Sequence, residues 1–174
     1  MDMLTPEYNP ADVERIVGAT PDNLRDWRRR NTGPRGEAGA NGRFKYSRAD
    51  LLQIMLQGQL MPVAFGVEQA GRCASHWVYG QKEFSTEHPK GKYVRHPMEL
   101  FEGQRTYLVI GHSGDGIRVP AVLSEKEINV APADPSGHHP MALAERGMAV
   151  TVFDLTTFHA NAMAFLDANL KNAA

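Results

Sequence analysis

The stretch that decides the fold is residues 20–46, which read TPDNLRDWRRRNTGPRGEAGANGRFKY. It opens on Thr20-Pro21, a helix cap followed by proline at the first helical position, where the missing proline N–H has no intrahelical partner to lose. Leu24 and Trp27 then recur at helical spacing before the chain reaches Arg30. The pattern predicts a short helix that Leu24 and Trp27 anchor to a core, with its charged side chains projecting outward.

The second half of the stretch predicts a loop and a wing. Residues 31–42 contain four glycines and Pro34, so they cannot continue the helix, and an exposed loop is expected. The next four residues, RFKY at 43–46, alternate basic and apolar side chains. This alternation is typical of a brief strand with one apolar and one basic face. Residues 41–46 are therefore predicted to form a basic wing.

Helices are predicted on both sides of this stretch. Asn9-Pro10 is a second cap-and-proline pair, and it begins a first helix that ends before Gly18. Ser47, with Asp50 three residues later, resembles a capping box at the start of a third helix that ends near Gln59. The order of helix, tight turn, basic helix, basic hairpin and helix is the layout of a winged helix-turn-helix, whose second helix enters the DNA major groove.

The positive charge is concentrated in this part of a nearly neutral chain. The formal net charge is −1, but residues 25–48 hold eight basic and two acidic side chains, a local balance of +6. A partner with dense negative charge would be attracted to this segment, whereas the nearly neutral molecule as a whole would not attract polyanions indiscriminately. The distribution favours double-stranded DNA as the partner. The alternative is a solvated helix face followed by a loop.

The side chains predicted to bind DNA come from the second helix and the wing. Asparagine and arginine can make bidentate contacts with base edges, and further cations can hold phosphates. The predicted DNA-binding residues are Thr20, Asp22, Asn23, Arg25, Arg28, Arg29, Arg43, Lys45 and Tyr46.

Residues 8–57 resemble the DNA-binding domain of MerR-type transcriptional regulators. The matching segments are TPDNLR at 20–25, NGRFKY at 41–46 and SRADLL at 47–52. In that family the arginine of the second helix and basic wing residues touch DNA. The resemblance therefore implies DNA contacts from Arg25, Arg43 and Lys45.

The chain also departs from the family pattern. Asp26-Trp27 stands where the family usually has two tyrosines, and Phe44 stands where it usually has a wing arginine, so Phe44 is expected in the core. The family tends to dimerise through a long helix after the DNA-binding domain. Pro62, Gly66 and Gly71 disfavour such a helix, so a homodimer is expected to use the C-terminal module.

The predicted fold class is α+β, with three parts along the chain. Residues 1–60 form the winged helix-turn-helix, residues 61–100 a broken or kinked connecting helix and a linker, and residues 101–174 a small α+β dimerisation or regulatory module. Predicted elements of this module are an antiparallel sheet with strands at 106–112, 117–123, 128–131 and 148–154, a loop at 132–140, and a C-terminal helix from Leu155.

Several other classes are disfavoured. Cys73 is the single cysteine, so neither an intrachain disulfide nor a cysteine zinc site is expected, and no metal or cofactor is predicted. No apolar run approaches the ~18 residues of a membrane span, and no signal-peptide pattern is present, which predicts a cytoplasmic protein without a membrane partner. Gly111 to Gly114 resembles a nucleophile elbow, but Asp115 replaces the expected glycine and a strand follows, so no enzymatic activity is expected.

Two other binding functions remain open beside a transcriptional regulator. A phage-like or recombination-type architectural protein would use a related winged fold to bend DNA. A protein-interaction adaptor would keep the fold without binding DNA. The roughly 115 residues that follow the winged module favour a regulator, because they could serve dimerisation or recognise a protein or small-molecule effector.

Overall fold

The computed structural model describes residues 2–39, 41–63, 66–80, 97–112, 118–128, 144 and 149–171. It is α+β, as predicted, with two small antiparallel sheets and a C-terminal helix. The helices are α1 Pro10–Val17, α2 Pro21–Arg30, α3 Arg48–Leu60, α4 Gly66–Val78, α5 Glu125–Ile128 and α6 Leu155–Lys171, with a 3₁₀ turn at Met61–Val63. The strands are β1 Glu37–Ala38, β2 Phe44–Lys45, β3 Thr106–His112, β4 Arg118–Ser124 and β5 Val150–Asp154. The chain divides into two compact units, residues 1–98 with 162–174, and residues 99–161.

Helices α1 and α2 begin at the predicted caps. The Asn9 side chain accepts the backbone N–H of Asp12, whose carboxylate accepts the Asn9 N–H in return, which forms a capping box. Thr20 Oγ1 accepts the Asn23 N–H at 3.2 Å. Gly18 has φ 75° and ends α1 in the left-handed region, where glycine carries no Cβ penalty. The chain can therefore reverse within a few residues and start α2.

Helix α3 is the centre of the first unit. It begins with the predicted capping box, in which the Ser47 N–H donates to Asp50 Oδ2 at 2.7 Å. Ten of its thirteen residues are buried, so neighbours surround it on nearly every side. At its start the Arg48 guanidinium contacts the Asp167 carboxylate of α6. Asp50 also accepts the hydroxyl of Tyr79.

Helix α4 follows a break in the chain that the sequence predicted at Pro62 and Gly66. Pro62 lies in the 3₁₀ turn, and Gly66 has φ 63°. The predicted interruption at Gly71 is wrong, because α4 runs through it. The glycine is required by packing: a Cβ there would lie 1.7 Å from the Thr32 carbonyl oxygen. On the other side, Gln53 Nε2 donates to the Gly71 carbonyl at 3.4 Å, so α4 lies directly against both α3 and the loop that follows α2.

The second unit contains a three-stranded antiparallel sheet in the order β4-β3-β5. In the central strand, Val109 pairs with Ala121 of β4 and with Val152 of β5. Leu108, Val109 and Ile110 are fully buried, so β3 supplies the apolar centre of the sheet. The strands predicted at 106–112, 117–123 and 148–154 are observed within one or two residues.

One strand prediction is wrong where it can be judged. Ile128 ends helix α5 instead of beginning a strand. The reason is a local cap: the Ser124 N–H donates to Glu127 Oε2 at 2.8 Å, and Ser124 Oγ accepts the Glu127 N–H at 3.2 Å. The rest of that predicted strand, the loop at 132–140, the turn at 113–116 and most of the linker lie outside the described residues.

Candidate nucleic-acid interface

Helix α2 presents most of its cations to solvent. Leu24 is buried and holds the helix against the core. The Arg25 and Arg29 side chains are 73% and 74% exposed. Arg25 and Arg29 lie one helical turn apart, so both guanidiniums are accessible along one side of the helix.

Two aspartates on the same helix contact these arginines. Asp22 Oδ1 lies 3.0 Å from Arg25 Nη2, and Asp26 lies 2.9 Å from Arg29 and 3.1 Å from Arg30. Exposed ion pairs of this kind contribute under about 1 kcal/mol and weaken with salt. A stronger anion can therefore displace the carboxylates. Asp22, predicted as a DNA contact, partly neutralises Arg25.

Trp27 is only partly buried, contrary to the expectation that it would be a full core anchor. It is covered by the loop after α2 instead. The Thr32 N–H donates to the Trp27 carbonyl at 2.9 Å, and a Cβ on Gly33 would lie 2.9 Å from Trp27 Cβ. The loop thus folds back on the helix. Thr32 and Pro34 are buried, which corrects the prediction that residues 31–42 are an exposed loop throughout.

The predicted wing is a short ribbon. Residues 37–38 of the loop form β1, which pairs antiparallel with β2, placing Glu37 opposite Lys45 and Ala38 opposite Phe44. Tyr8 adds a further bridge to Tyr46, whose N–H donates to the Tyr8 carbonyl at 2.7 Å. Because side chains alternate along a strand, Phe44 and Tyr46 share one face and Lys45 lies on the other.

Arg28 joins α2 to this ribbon. Its Nη1 donates to Tyr46 Oη at 2.6 Å, and its Cζ lies 3.7 Å from the centroid of the Phe44 ring. The guanidinium is thus stacked on one aromatic side chain and hydrogen-bonded to the other. Burial raises the pKa of Tyr46 although the Arg28 charge acts in the opposite direction, so the phenol is neutral at physiological pH.

Tyr46 was predicted to contact DNA, and the structure corrects this. Its relative exposure is 0%, so it offers no surface to a nucleic acid. The alternation that places Phe44 on the Arg28 side also turns Tyr46 inward. Tyr46 positions Arg28. Phe44, expected in the core, is part-exposed beneath that arginine.

A concavity of about 450 Å³ opens beside this contact. Its lining includes four arginines, Arg25, Arg28, Arg29 and Arg35, and no carboxylate side chain. The remaining lining residues are Asn31, Gly36 and Phe44. Three of the arginines come from α2 and one from the loop, because Gly33 and the Thr32 hydrogen bond return the loop to the helix. The concavity therefore focuses positive charge between α2 and the ribbon.

The other predicted site residues are not part of the lining of this concavity. Arg43 and Lys45 are exposed on the ribbon, while Thr20 uses its hydroxyl to cap α2 and Asn23 is exposed in the first turn. Arg35 and Asn31 were not among the predicted contacts. The only sequence signal for Arg35 was its place in the basic run, and Asn31 was only the first residue of the predicted loop.

Other site classes have little support in the described ranges. Among those residues, no helix is both long and apolar enough to cross a membrane. No group of three or more His, Cys, Asp or Glu side chains there could hold a metal ion. A scan against protein-family models and a search of curated proteins gave no match to this chain.

Proposed function

We propose that this chain is a sequence-specific DNA-binding transcriptional regulator. In this proposal residues 1–60 act as a winged helix-turn-helix that resembles the MerR type, with α2 as the recognition helix and residues 41–46 as the wing. The observation that carries it is the concavity beside the ribbon, whose lining includes three arginines of α2 and one arginine of the following loop. Charge scattered evenly over a surface would not place four arginines in the lining of one concavity without a carboxylate among the lining residues.

Base reading is assigned to the exposed first half of α2. In helix-turn-helix proteins the N-terminal residues of the recognition helix contact base edges. Asn23 and Arg25 occupy that part of α2, and the Arg25 guanidinium forms an exposed ion pair with Asp22. Arginine pairs with guanine and asparagine with adenine in the major groove. If a guanine edge replaces the Asp22 carboxylate as the partner of Arg25, the affinity depends on the base at that position, which gives sequence preference.

The wing is assigned to the DNA backbone. Arg43 and Lys45 are exposed on the ribbon, on or near the face opposite Phe44. Cations in that position suit phosphates or the adjacent minor groove, where they add affinity without sequence preference. Thr20 contributes through its cap, which fixes the first turn of α2 and with it the base-reading side chains.

The proposal also includes a two-fold homodimer formed through residues 101–174, in the cytoplasm, with a protein or small molecule as effector and no catalytic role. Two recognition helices in such a dimer would lie in half-sites about one helical turn apart, ~10 bp, or a multiple of it. An operator of this kind would be palindromic.

Selection from random duplex DNA, followed by sequencing, tests the proposal. A palindromic motif with a dimeric complex by light scattering is the expected result. Enrichment of bendable sequence without a motif would indicate the architectural protein, and no retained DNA at any salt concentration would indicate the adaptor.

Point variants of the interface then separate base reading from charge. Arg25→Ala should cost about 1–3 kcal/mol on the enriched motif and relax base preference. Lys45→Ala should weaken binding to all sequences alike. It should also reduce the slope of log affinity against log salt concentration by about the amount that one phosphate contributes.

Arg72→Ala is the matched control, because Arg72 is 66% exposed and pairs with Glu68 at 2.7 Å on α4, much as Arg25 pairs with Asp22. It should leave DNA binding unchanged. Equal losses for Arg25→Ala on the motif and on random DNA would contradict the base-reading role.

A further inference from the structure

We infer that the concavity between α2 and the ribbon seats one phosphodiester of the DNA backbone, and that Arg28, oriented by Tyr46 and Phe44, is the residue that receives it. The inference rests on the proposed function and divides the α2 arginines into two groups. Arg25 reads bases, whereas Arg28 fixes the depth and register of the helix on the duplex.

The geometry of Arg28 is that of a fixed fork. One of its five N–H donors is used by Tyr46 Oη at 2.6 Å, which leaves donors for a ligand. Stacking on Phe44, with Cζ 3.7 Å from the ring centroid, sets the plane of the guanidinium. An arginine whose rotamer is already fixed loses little freedom on binding, and a planar fork matches the oxygens of a phosphate.

Arg28 also differs from its neighbours in the groups that it contacts. Arg25 and Arg29 each contact an aspartate of α2. Both contacts of Arg28 described above are with neutral groups, a phenol and a phenyl ring. Neither of these contacts neutralises Arg28. The concavity that it lines has no carboxylate in its lining, and its volume of about 450 Å³ accommodates a phosphate with bridging water.

The position of Arg28 favours a phosphate over a base edge. It is part-buried in the second half of α2, next to the loop, whereas Arg25 is 73% exposed one turn earlier. A recessed side chain cannot reach the floor of the major groove without moving off Phe44. The backbone that borders the groove is the part of a duplex that can approach it.

Substitution of single phosphates by neutral methylphosphonates along the enriched duplex tests this assignment. With the wild-type protein, one position in each half-site should weaken binding about tenfold, because a charge-assisted contact is lost. With Arg28→Ala, the same substitution should cost less than about twofold, since the two changes remove the same contact. Arg72→Ala should retain the full wild-type pattern.

Tyr46→Phe isolates the positioning role. It removes the hydroxyl that holds Arg28 and keeps both the aromatic ring and the arginine charge. Binding to all sequences should weaken by about threefold to tenfold, with the salt slope and the base preference unchanged. Arg28→Lys keeps the charge but not the planar fork, so it should preserve the salt slope and show a methylphosphonate effect between those of wild type and Arg28→Ala. Tryptophan fluorescence of each variant checks that the first unit is folded.

Three sets of results would overturn the inference. If wild type binds its motif but no phosphate couples to Arg28, or if Arg28→Ala changes base preference, the phosphate assignment fails while the proposed function stands. If wild type binds no DNA, both fail. Binding of inorganic phosphate tighter than ~1 mM without DNA, lost in Arg28→Ala, would identify a free-phosphate effector site and would also overturn the backbone assignment.

Discussion

Replacing Gly71 with alanine should destabilise the first unit, although alanine is ordinarily the better helix former. A Cβ at position 71 would lie 1.7 Å from the carbonyl oxygen of Thr32 and 2.6 Å from its carbonyl carbon, whereas real Cβ contacts essentially never fall below 3.0 Å. Both partners are backbone, so no side chain can rotate away. Helix α4 and the loop must separate by more than about 1 Å.

The magnitude follows from two opposing effects. Alanine in a helix interior is favoured over glycine by about 1 kcal/mol. Overpacking in a close-packed region costs about 1–3 kcal/mol, and a backbone-to-backbone clash belongs at the upper end of that range. The variant should therefore lose about 2 kcal/mol of stability.

Gly58→Ala on α3 is the matched control. Gly58 lies inside a helix, and a Cβ there would meet no atom within 4 Å. This variant should gain about 0.5–1 kcal/mol, so the two substitutions of the same type should differ by about 3 kcal/mol with opposite signs.

Urea unfolding followed by tryptophan fluorescence measures both values. Trp27 and Trp77 are the two tryptophans of the chain, and both belong to the first unit. Because the displaced loop carries Arg35, Gly71→Ala should also weaken DNA binding where Gly58→Ala does not. Equal stability of the two variants would refute the close contact between α4 and the loop.

Two further predictions concern ionisable side chains. Burial and the adjacent Asp50 raise the pKa of Tyr79, so folding keeps its phenol neutral, and the resulting stability is present below about pH 10 and lost as the pH rises above it. Tyr79→Phe should reduce this alkaline loss. Because Tyr79 does not ionise in the folded protein, the alkaline change in tyrosine absorbance of folded wild type should equal that of folded Tyr79→Phe, and a smaller change in the variant would contradict it. Burial alone would raise the pKa of Asp154, but hydrogen bonds from Thr157 and the charge of Arg105 together hold it below its ordinary 3.8. The stabilisation by the ionised Asp154 carboxylate is therefore present above about pH 4 and lost below it. Urea unfolding followed by circular dichroism between pH 2 and 7 should show that the free energy of unfolding falls less steeply with acid in Asp154→Asn than in wild type. The same dependence on pH in both proteins would argue against these contacts.

The elements that could be predicted from sequence are those that local chemistry determines. The caps at Asn9, Thr20 and Ser47 place the first three helices because each side chain bonds a backbone N–H two or three residues away. The hairpin β3-β4 follows from two β-rich runs and a glycine-rich connection. In these regions neighbouring residues carry the whole signal.

The parts that could not be predicted depend on contacts between distant residues. Gly71 looks like a helix interruption until the Thr32 carbonyl is placed beside it. Arg35 joins the candidate site because the loop returns to Trp27, and Tyr46 leaves it because the ribbon turns its side chain inward. Residue type and spacing predict neither the return of the loop nor the inward side chain of Tyr46. The sequence therefore showed the concavity only as a local excess of positive charge.

The bridge between Tyr8 and Tyr46 has a practical consequence for anyone preparing shorter versions of this protein. Residues before the first helix are often trimmed as dispensable, yet here the Glu7 and Tyr8 N–H groups both donate to the Tyr46 carbonyl at 2.9 Å. A fragment beginning at residue 10 would lack these backbone hydrogen bonds to Tyr46, the residue that orients Arg28. Affinity tags are therefore better fused at the other terminus. Loss of DNA binding in such a fragment is explained first by the missing bridge to Tyr46, before a base-reading residue is considered.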